Sequence, residues 1–500
     1  MSQRAITIWT FVVTSLAIFM VSLDNLVVTT ALPVIKAHLG ASLSSLEWTV
    51  NAYTLTFAVL LLTGAALGDR FGRKRVFLAG LTLFTLGSAM AALAPSIGTL
   101  VAARALQGVG GGIAAPLTLT ILSAAVPPAR RGQALGIWGG ISGLAVAIGP
   151  VVGGAVVDGL SWQWIFWINV PIGAVLLPIA WRRLTESTGP NRSLDLPGLG
   201  FISVGLLGFV WGLVRGNEHG WTSLGVAGPI AAGVVLLAAF ILWERRTTEP
   251  MVPLRFFRNR AFSAANVTSL LMSFGMFGAI FLLAQFLQVV QGYSPLEAGL
   301  RTLPWTAMPI LVAPIAGTLS DRIGARPLVV AGMALMATAM GWFAVITSPT
   351  VAYSSEVPPL VLAGVGMSLY FAPLANLVLS TVRRKEEGKA SGVNNTVREV
   401  GGVLGVAVLA TIFSRVGGYA SPQLFVDGLR VALWVSAAAV GAGALAAITI
   451  PPRQDVVADS VSLLEPLFER PAQNVAVGHD AADAIRLQAG GLSAEPTGSE

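Results

Sequence analysis

The 500-residue chain is 54% hydrophobic and 11% charged, with a mean hydropathy of +0.75 and no cysteine. That balance excludes a soluble globular domain, and the missing thiols exclude disulfides and thiol chemistry. The formal net charge of +7 is spread loop by loop with no basic stripe, so nucleic acid is not an expected partner and the lipid bilayer is the expected surroundings.

Apolar stretches of about 20 residues, long enough to cross hydrocarbon, recur nearly end to end and number about fourteen. The predicted spans are 6–33, 46–68, 76–95, 97–125, 133–157, 163–181, 197–214, 224–243, 261–290, 296–319, 327–347, 357–382, 388–414 and 428–450. The first begins near Ile6, is too long for a signal-peptide core and has no small-residue cleavage site, so it is expected to stay as a helix. Alternate loops, at 69–75, 126–132, 182–196, 244–260, 320–326 and 383–387, hold with their borders and the N-terminus roughly twenty of the 31 basic residues. The intervening loops hold about three. Positive charge stays inside, so both termini are expected in the cytoplasm, in agreement with an even number of spans. Residues 451–500 turn to Ala, Gly, Ser, Asp and Glu and are expected to form a disordered cytoplasmic tail. The histidines His38, His219 and His479 fall in expected loops or the tail, so neither a metal site nor a proton shuttle is built from them.

Few charges lie inside the spans. Arg104 and Arg398 are deeply placed, Arg301 and Arg430 lie near helix ends, and Asp24 and Glu399 are exceptional acids. A charge at a helix centre costs about 2.5–3.5 kcal/mol on insertion scales, so such groups are expected to face the bundle interior and to have partners or work. Asp24 is the preferred proton carrier: burial favours its neutral form, and a nearby cation such as Arg104 favours the charged one. A static buried ion pair joining the first and fourth helices is the plainer reading. In NNTVRE at 394–399, Arg398 and Glu399 are expected to neutralise one another unless Glu399 is a second acid that carries a proton or reads substrate charge.

Glycines recur four apart in the fourth and fifth spans, where they permit close helix approach, and Pro150 beside Gly149 interrupts the backbone ladder. On the ninth span Phe274, Phe277, Phe281, Gln285 and Gln288 share one helical face, expected to line a cavity for a flat, greasy or cationic substrate; ordinary helix packing explains the same face nearly as well. Tyr53 is a further cavity candidate.

LGDRFGRKRVFLAG at 67–80 returns as LSDRIGARPLVVAG at 319–332, matching Asp69 with Asp321, Arg70 with Arg322 and Gly72 with Gly324. GVG at 108–110 recurs at 364–366, and GQALG at 132–136 recurs as GKASG at 388–392. The chain is therefore read as a duplicated all-α bundle: an N-terminal half at 1–181, a linker with two extra spans at 182–260, a C-terminal half at 261–450 and the tail at 451–500. Two similar halves suit a rocking machine with a site between them, the charged loops forming its inner latch through Asp69, Arg70, Gly72, Arg73, Lys74, Asp321 and Arg322.

The chain resembles the major facilitator superfamily, and more narrowly its fourteen-helix drug/proton antiporters. GDRFGRKR resembles the signature loop, LDNLVVTTALP the first-helix motif, RALQGVGGG the fourth-helix motif and GPVVGG, with Gly149, Pro150, Gly153 and Gly154, the fifth-helix antiporter motif. WQWIFWINVPIG and GYSPLEAGL add to the match, which covers about residues 9–450. Ala65 stands where the loop motif usually has Gly, Thr29 where the first motif often has Asn, and Glu399 where Gln is common. The resemblance implies two six-helix bundles plus two additional central helices, a proton-relay role for Arg104 and export as the direction of transport.

The expected function is proton-coupled export of hydrophobic or cationic drugs or toxic metabolites across a bacterial cytoplasmic membrane, with a small-molecule substrate, protons and lipid as partners and a monomer sufficing. No cofactor is expected, the proton gradient being the drive. An importer or a narrow-specificity metabolite carrier on the same fold is the alternative. HExxH, a Ser-His constellation and a Walker-type GxxxxGK[ST] are all missing, so an enzyme is not expected.

Overall fold

The computed structural model describes residues 3–188, 195–248, 250–383 and 386–452, apart from the side chains at 3, 4, 128–133, 135, 136, 217, 218 and 321. The expected tail therefore lies, from 453 onward, outside the described residues, as do His479 and the side chain of Asp321. Helices long and apolar enough to cross a membrane number fourteen among the described residues. They are Ala5–Leu39 (α1), Leu43–Phe71 (α2), Arg73–Ala92 (α3), Ile97–Ala125 (α4), Ile137–Gly159 (α5), Trp164–Arg183 (α6), Leu196–Gly216 (α7) and Leu224–Glu244 (α8). The series continues with Arg260–Val290 (α9), Pro295–Ser320 (α10), Ala325–Ile346 (α11), Tyr353–Ser380 (α12), Glu387–Val416 (α13) and Pro422–Ile448 (α14). No strand occurs among the described residues, as expected where every backbone polar group must be satisfied within its own segment.

Several helices outrun their apolar stretches. The first passes through Pro33 to Leu39 and takes Lys36 and His38 into its last turn, and His219 closes a helix that begins at Leu196. Both histidines thus sit at helix ends, not in loops. Hydropathy ends where polar side chains begin, whereas a helix ends where the backbone turns. Here that point is Gly40, at φ +61°, followed by Ser42, whose hydroxyl caps the next helix. Within α10 the helix is broken into Pro295–Arg301, Leu303–Thr306 and Met308–Ile323, the second and third pieces each having a proline in the first turn.

The duplication is visible in the packing. Contacts α1–α5, α2–α4, α3–α4 and α3–α6 return as α9–α13, α10–α12, α11–α12 and α11–α14. Between the halves α2 packs on α13 and α5 on α10, and these two seams are themselves related by the repeat. The two additional helices pair with each other, and α7 lies against both α2 and α13. The repeated loops have one geometry. Gly72 (φ +104°) and Gly324 (φ +84°) turn the chain between consecutive helices, each closing the preceding helix with an N–H bond to Gly68 and Ser320 respectively.

The α5–α10 seam is tight at one end only. A Cβ on Gly154 would meet the Pro295 carbonyl and lie 2.7 Å from Leu296 Cα, and one on Gly299 would meet the carbonyl of Pro150. Thr306 adds a hydroxyl bond of 2.9 Å to the Ala147 carbonyl. The same face of α5 continues through Gly143 and Gly140, where no atom of another element lies within 4 Å of an added Cβ. On α10, Ile310, one turn beyond Thr306, is exposed. The halves therefore touch at the Pro295 end and part toward the Gly72 end along this seam. Gly154→Val is expected to lower stability by about 1–3 kcal/mol through overpacking, read as a depressed Tm of the purified protein. An unchanged Tm would mean that α5 and α10 do not approach this closely.

Candidate functional site

Five helices of the first half converge on one buried ion pair. Asp24 on α1 and Arg104 on α4 are each 1% exposed, and Arg104 Nη1 donates to Asp24 Oδ2. The other carboxylate oxygen accepts from Gln107 Nε2 at 3.1 Å and from Asn169 Nδ2, on α6, at 3.0 Å. Arg104 also donates from Nε to the Thr49 carbonyl on α2 at 3.2 Å and from Nη1 to Gln107 Oε1 at 3.0 Å. Its guanidinium lies over the ring of Tyr53 at 4.2 Å and near Phe166 at 5.7 Å. Gln107 is fixed in turn by Ser88 of α3 at 2.6 Å, and Tyr53 by a hydroxyl bond to the Val21 carbonyl at 3.2 Å.

Two charges so placed are tolerable only because nearly every donor and acceptor is met. A proton on Asp24 removes the charge that holds Arg104, yet the guanidinium keeps Thr49, Gln107 and the Tyr53 face as partners. The Arg side of the pair is thus insured against loss of the carboxylate, whereas Asp24 without Arg104 would keep only two amide donors.

The second acidic candidate is built differently. Arg398 Nη2 lies 3.3 Å from Glu399 Oε1, the neighbours being adjacent on one helix, and Glu399 Oε2 is buried without a hydrogen-bond partner. Arg398 is one-third exposed and lies 5.7 Å from the ring of Phe371. Elsewhere in NNTVRE, Asn394 donates to Ser269 of α9 at 2.8 Å, and Thr396 reaches across to the Ala58 carbonyl of α2 at 3.3 Å. The structure keeps Arg398 and Glu399 together and does not join them to Asp24 through any described bond.

The aromatic face of α9 is largely engaged in packing. Phe274 and Phe277 are half-buried against Gly405 and Gly402 of α13, while Phe281 and Gln285 are fully buried. Gln285 donates to the Phe281 carbonyl at 2.9 Å and accepts from Tyr419; Gln288 donates to the Thr30 carbonyl of α1 at 2.8 Å. Tyr53 is not part of this face; it belongs to the Asp24 cluster. Of the fifth-helix motif, Gly149 and Gly153 pack on α1, and Pro150 and Gly154 on α10.

At the loop, Arg73 closes back on Asp69 with bonds of 2.9 and 2.8 Å. Arg70 is exposed beside Phe71, Lys74 is half-buried and Arg322 is exposed. The N-terminus of α3 is capped by Glu186, which follows α6: its carboxylate accepts from the backbone N–H of Lys74 at 3.0 Å and of Arg75 at 3.2 Å. Arg73 N–H adds a bond of 2.8 Å to the Ser187 carbonyl. Asp69 thus pairs with an arginine of its own loop, while the cap of α3 falls to Glu186, a lone acid after the basic WRRL run. Sequence reasoning missed Gln107 and Asn169, although both lie inside quoted motifs and are amides in apolar spans. No group of three His, Asp or Glu suited to a metal occurs among the described residues.

A family model described as Major Facilitator Superfamily matches residues 14–406. The sequence is 36% identical to the tetracenomycin C resistance and export protein of Streptomyces glaucescens, over 82% of this chain and 76% of that one. It is 36% identical to multidrug resistance protein Stp of Mycobacterium tuberculosis, over 81% and 75%, and 38% identical to the cephamycin export protein CmcT of Amycolatopsis lactamdurans, over 79% and 82%. Among solved structures, a POT family transporter in complex with 5-aminolevulinic acid is 14% identical with a TM-score of 0.66, covering 93% of this chain and 97% of that one. A bacterial homologue of the human lysosomal transporter Spinster, inward-facing and unoccupied, is 16% identical with a TM-score of 0.63, covering 89% and 98%.

Arg104→Met strands Asp24 and is expected to lower stability by about 3–5 kcal/mol, whereas adding Asp24→Asn to the same chain recovers most of the loss. Tm values of the two single variants and the double variant test this; strictly additive losses would show that the two side chains do not act as a pair.

Proposed function

Because the chain belongs to the major facilitator superfamily, we propose that it is a proton-coupled antiporter exporting hydrophobic or cationic drugs or toxic metabolites across the cytoplasmic membrane by alternating access. The observation that carries this reading is the Asp24–Arg104 cluster: a carboxylate fully buried in a membrane-spanning bundle, whose cationic partner has other acceptors ready when the carboxylate is neutralised. Proton uptake by Asp24 frees Arg104 to shift, and binding of a cation or return of Arg104 expels the proton. No bound cofactor is needed, since the gradient supplies the energy, and a single chain contains the whole device.

The basic loops set the orientation, with the Gly72 and Gly324 turns on the cytoplasmic side. The α5–α10 seam then opens toward the cytoplasm and is shut on the outer side, a conformation suited to loading. Glu399 is the second acid of the cycle, close enough to Arg398 to be neutralised when no substrate is present. A narrow-specificity exporter is the second reading, favoured by relatives named for one compound each, tetracenomycin C and cephamycin, beside one named for multidrug resistance.

Efflux of a fluorescent lipophilic cation from expressing cells tests the proposal. Wild type is expected to lower cell fluorescence, a proton ionophore to abolish the effect, and Asp24→Asn to abolish it at equal membrane expression. An Asp24→Asn variant that pumps normally would remove Asp24 as the essential carrier. Absence of efflux from wild type would move the narrow exporter, or an importer, ahead.

A further inference from the structure

At the end of the bundle away from Gly72 and Gly324, α1 is tied to the second half twice. One tie is the bond from Gln288 Nε2 to the Thr30 carbonyl, 2.8 Å. The other is electrostatic: Lys36, in the last turn of α1, places Nζ 2.8 Å from the centroid of the Tyr419 ring. Lys36 belongs to the first half, and Tyr419 lies in the turn between α13 and α14, so the contact crosses between the halves.

The ring is held ready. Its hydroxyl donates to Gln285 Oε1, and Gln285 is anchored to the Phe281 carbonyl at 2.9 Å. Its edges meet the buried rings of Phe413 and Phe425, each at 5.5 Å and steeply inclined. Burial, with the Glu47 carboxylate nearby, pushes the Tyr419 phenol above its ordinary range, which keeps the O–H bond to Gln285 in place. A neutral, fixed aromatic face is thus presented to one half-buried ammonium.

We propose that Lys36 and Tyr419 form the outer gate contact whose making and breaking sets the balance between the two access states. The inference rests on the alternating-access reading. A cation on a ring suits the task. When the halves separate, Lys36 returns to water and Tyr419 keeps its bond to Gln285, so the ring stays fixed for the contact to be remade. The ammonium at the end of α1 also answers the negative end of the helix dipole, so its own helix holds it where the ring can be met.

The natural chain has no cysteine, so a spin-label pair at Gly98→Cys, exposed in the first turn of α4, and Thr350→Cys, exposed in the turn between α11 and α12, reports the outer distance in nanodiscs without interference. Losing a partly desolvated cation–π contact is expected to shift the open-to-closed ratio about tenfold toward open in Lys36→Gln and in Tyr419→Leu. Lys36→Arg and Tyr419→Phe, which keep a cation and a ring, should remain near wild type. Distributions in Lys36→Gln and Tyr419→Leu that match wild type would overturn the proposal, as would Lys36→Arg opening as far as Lys36→Gln. If Tyr419→Leu fails to fold, the Lys36 pair of variants still decides. The distances are measured without substrate, so a failure of the export reading would leave this result standing on its own.

Discussion

The constraint on which the first half depends is that a carboxylate and a guanidinium buried among membrane helices must have every polar atom answered. Asp24 on α1 and Arg104 on α4 draw Thr49 from α2, Gln107 from α4 and Asn169 from α6, and Gln107 is held in turn by Ser88 of α3. Those partners fix how the helices meet. Asn169 must stand at the start of the long part of α6, and Gln107 must be one turn beyond Arg104, where the same face of α4 points. The pair is therefore more than a fastening between two helices. It is the centre to which five of them are keyed, and any change in its charge is felt by all five.

The second half shows what the same framework does without the charge. Aligning the repeated GVG places Arg104 at Leu360, which is buried. Around Leu360 the corresponding helices α9, α10, α11, α12 and α14 surround a small apolar cavity lined by residues such as Ala279, Trp305, Phe343 and Leu433. Duplication has preserved the convergence of five helices while the chemistry has been kept in one copy. The second half places its charged residues elsewhere, with Glu399 and Arg398 on α13, beside the seam with α2.

The sequence makes the helices, the duplication and the two deep charges legible for one reason: in a nonpolar solvent each polar group stands out, and each apolar run has a length to satisfy. The turn glycines are legible for a related reason, since Gly72 and Gly324 occupy backbone conformations that side chains resist. Less visible are features that depend on what lies across a contact. The aromatic face of α9 has the spacing of a cavity wall, but Gly402 and Gly405 of α13 bring a second backbone against Phe277 and Phe274. Glu186 and Tyr419 act far from their sequence neighbours, on α3 and α1, and nothing local announces them. Helix ends such as Leu39 were misplaced because hydropathy measures side chains and a helix is ended by its backbone.

The two seams between the halves are alike by descent and unlike in state. Along α2–α13, Thr396 meets the Ala58 carbonyl and a Cβ on Gly392 would lie 2.6 Å from Leu62, so contact continues toward the Gly72 end. On this seam the additional helix α7 packs against both partners. Along α5–α10 the contact stops near Ala147, and Gly143 and Gly140 face no other helix. The halves are thus joined toward the Gly72 end along α2–α13 and only at the Pro295 end along α5–α10. The added hairpin's first helix, α7, packs on the α2–α13 seam and on neither helix of the α5–α10 seam among the contacts described, so the extra pair breaks the symmetry of the two halves by thickening the seam that stays joined toward the Gly72 end.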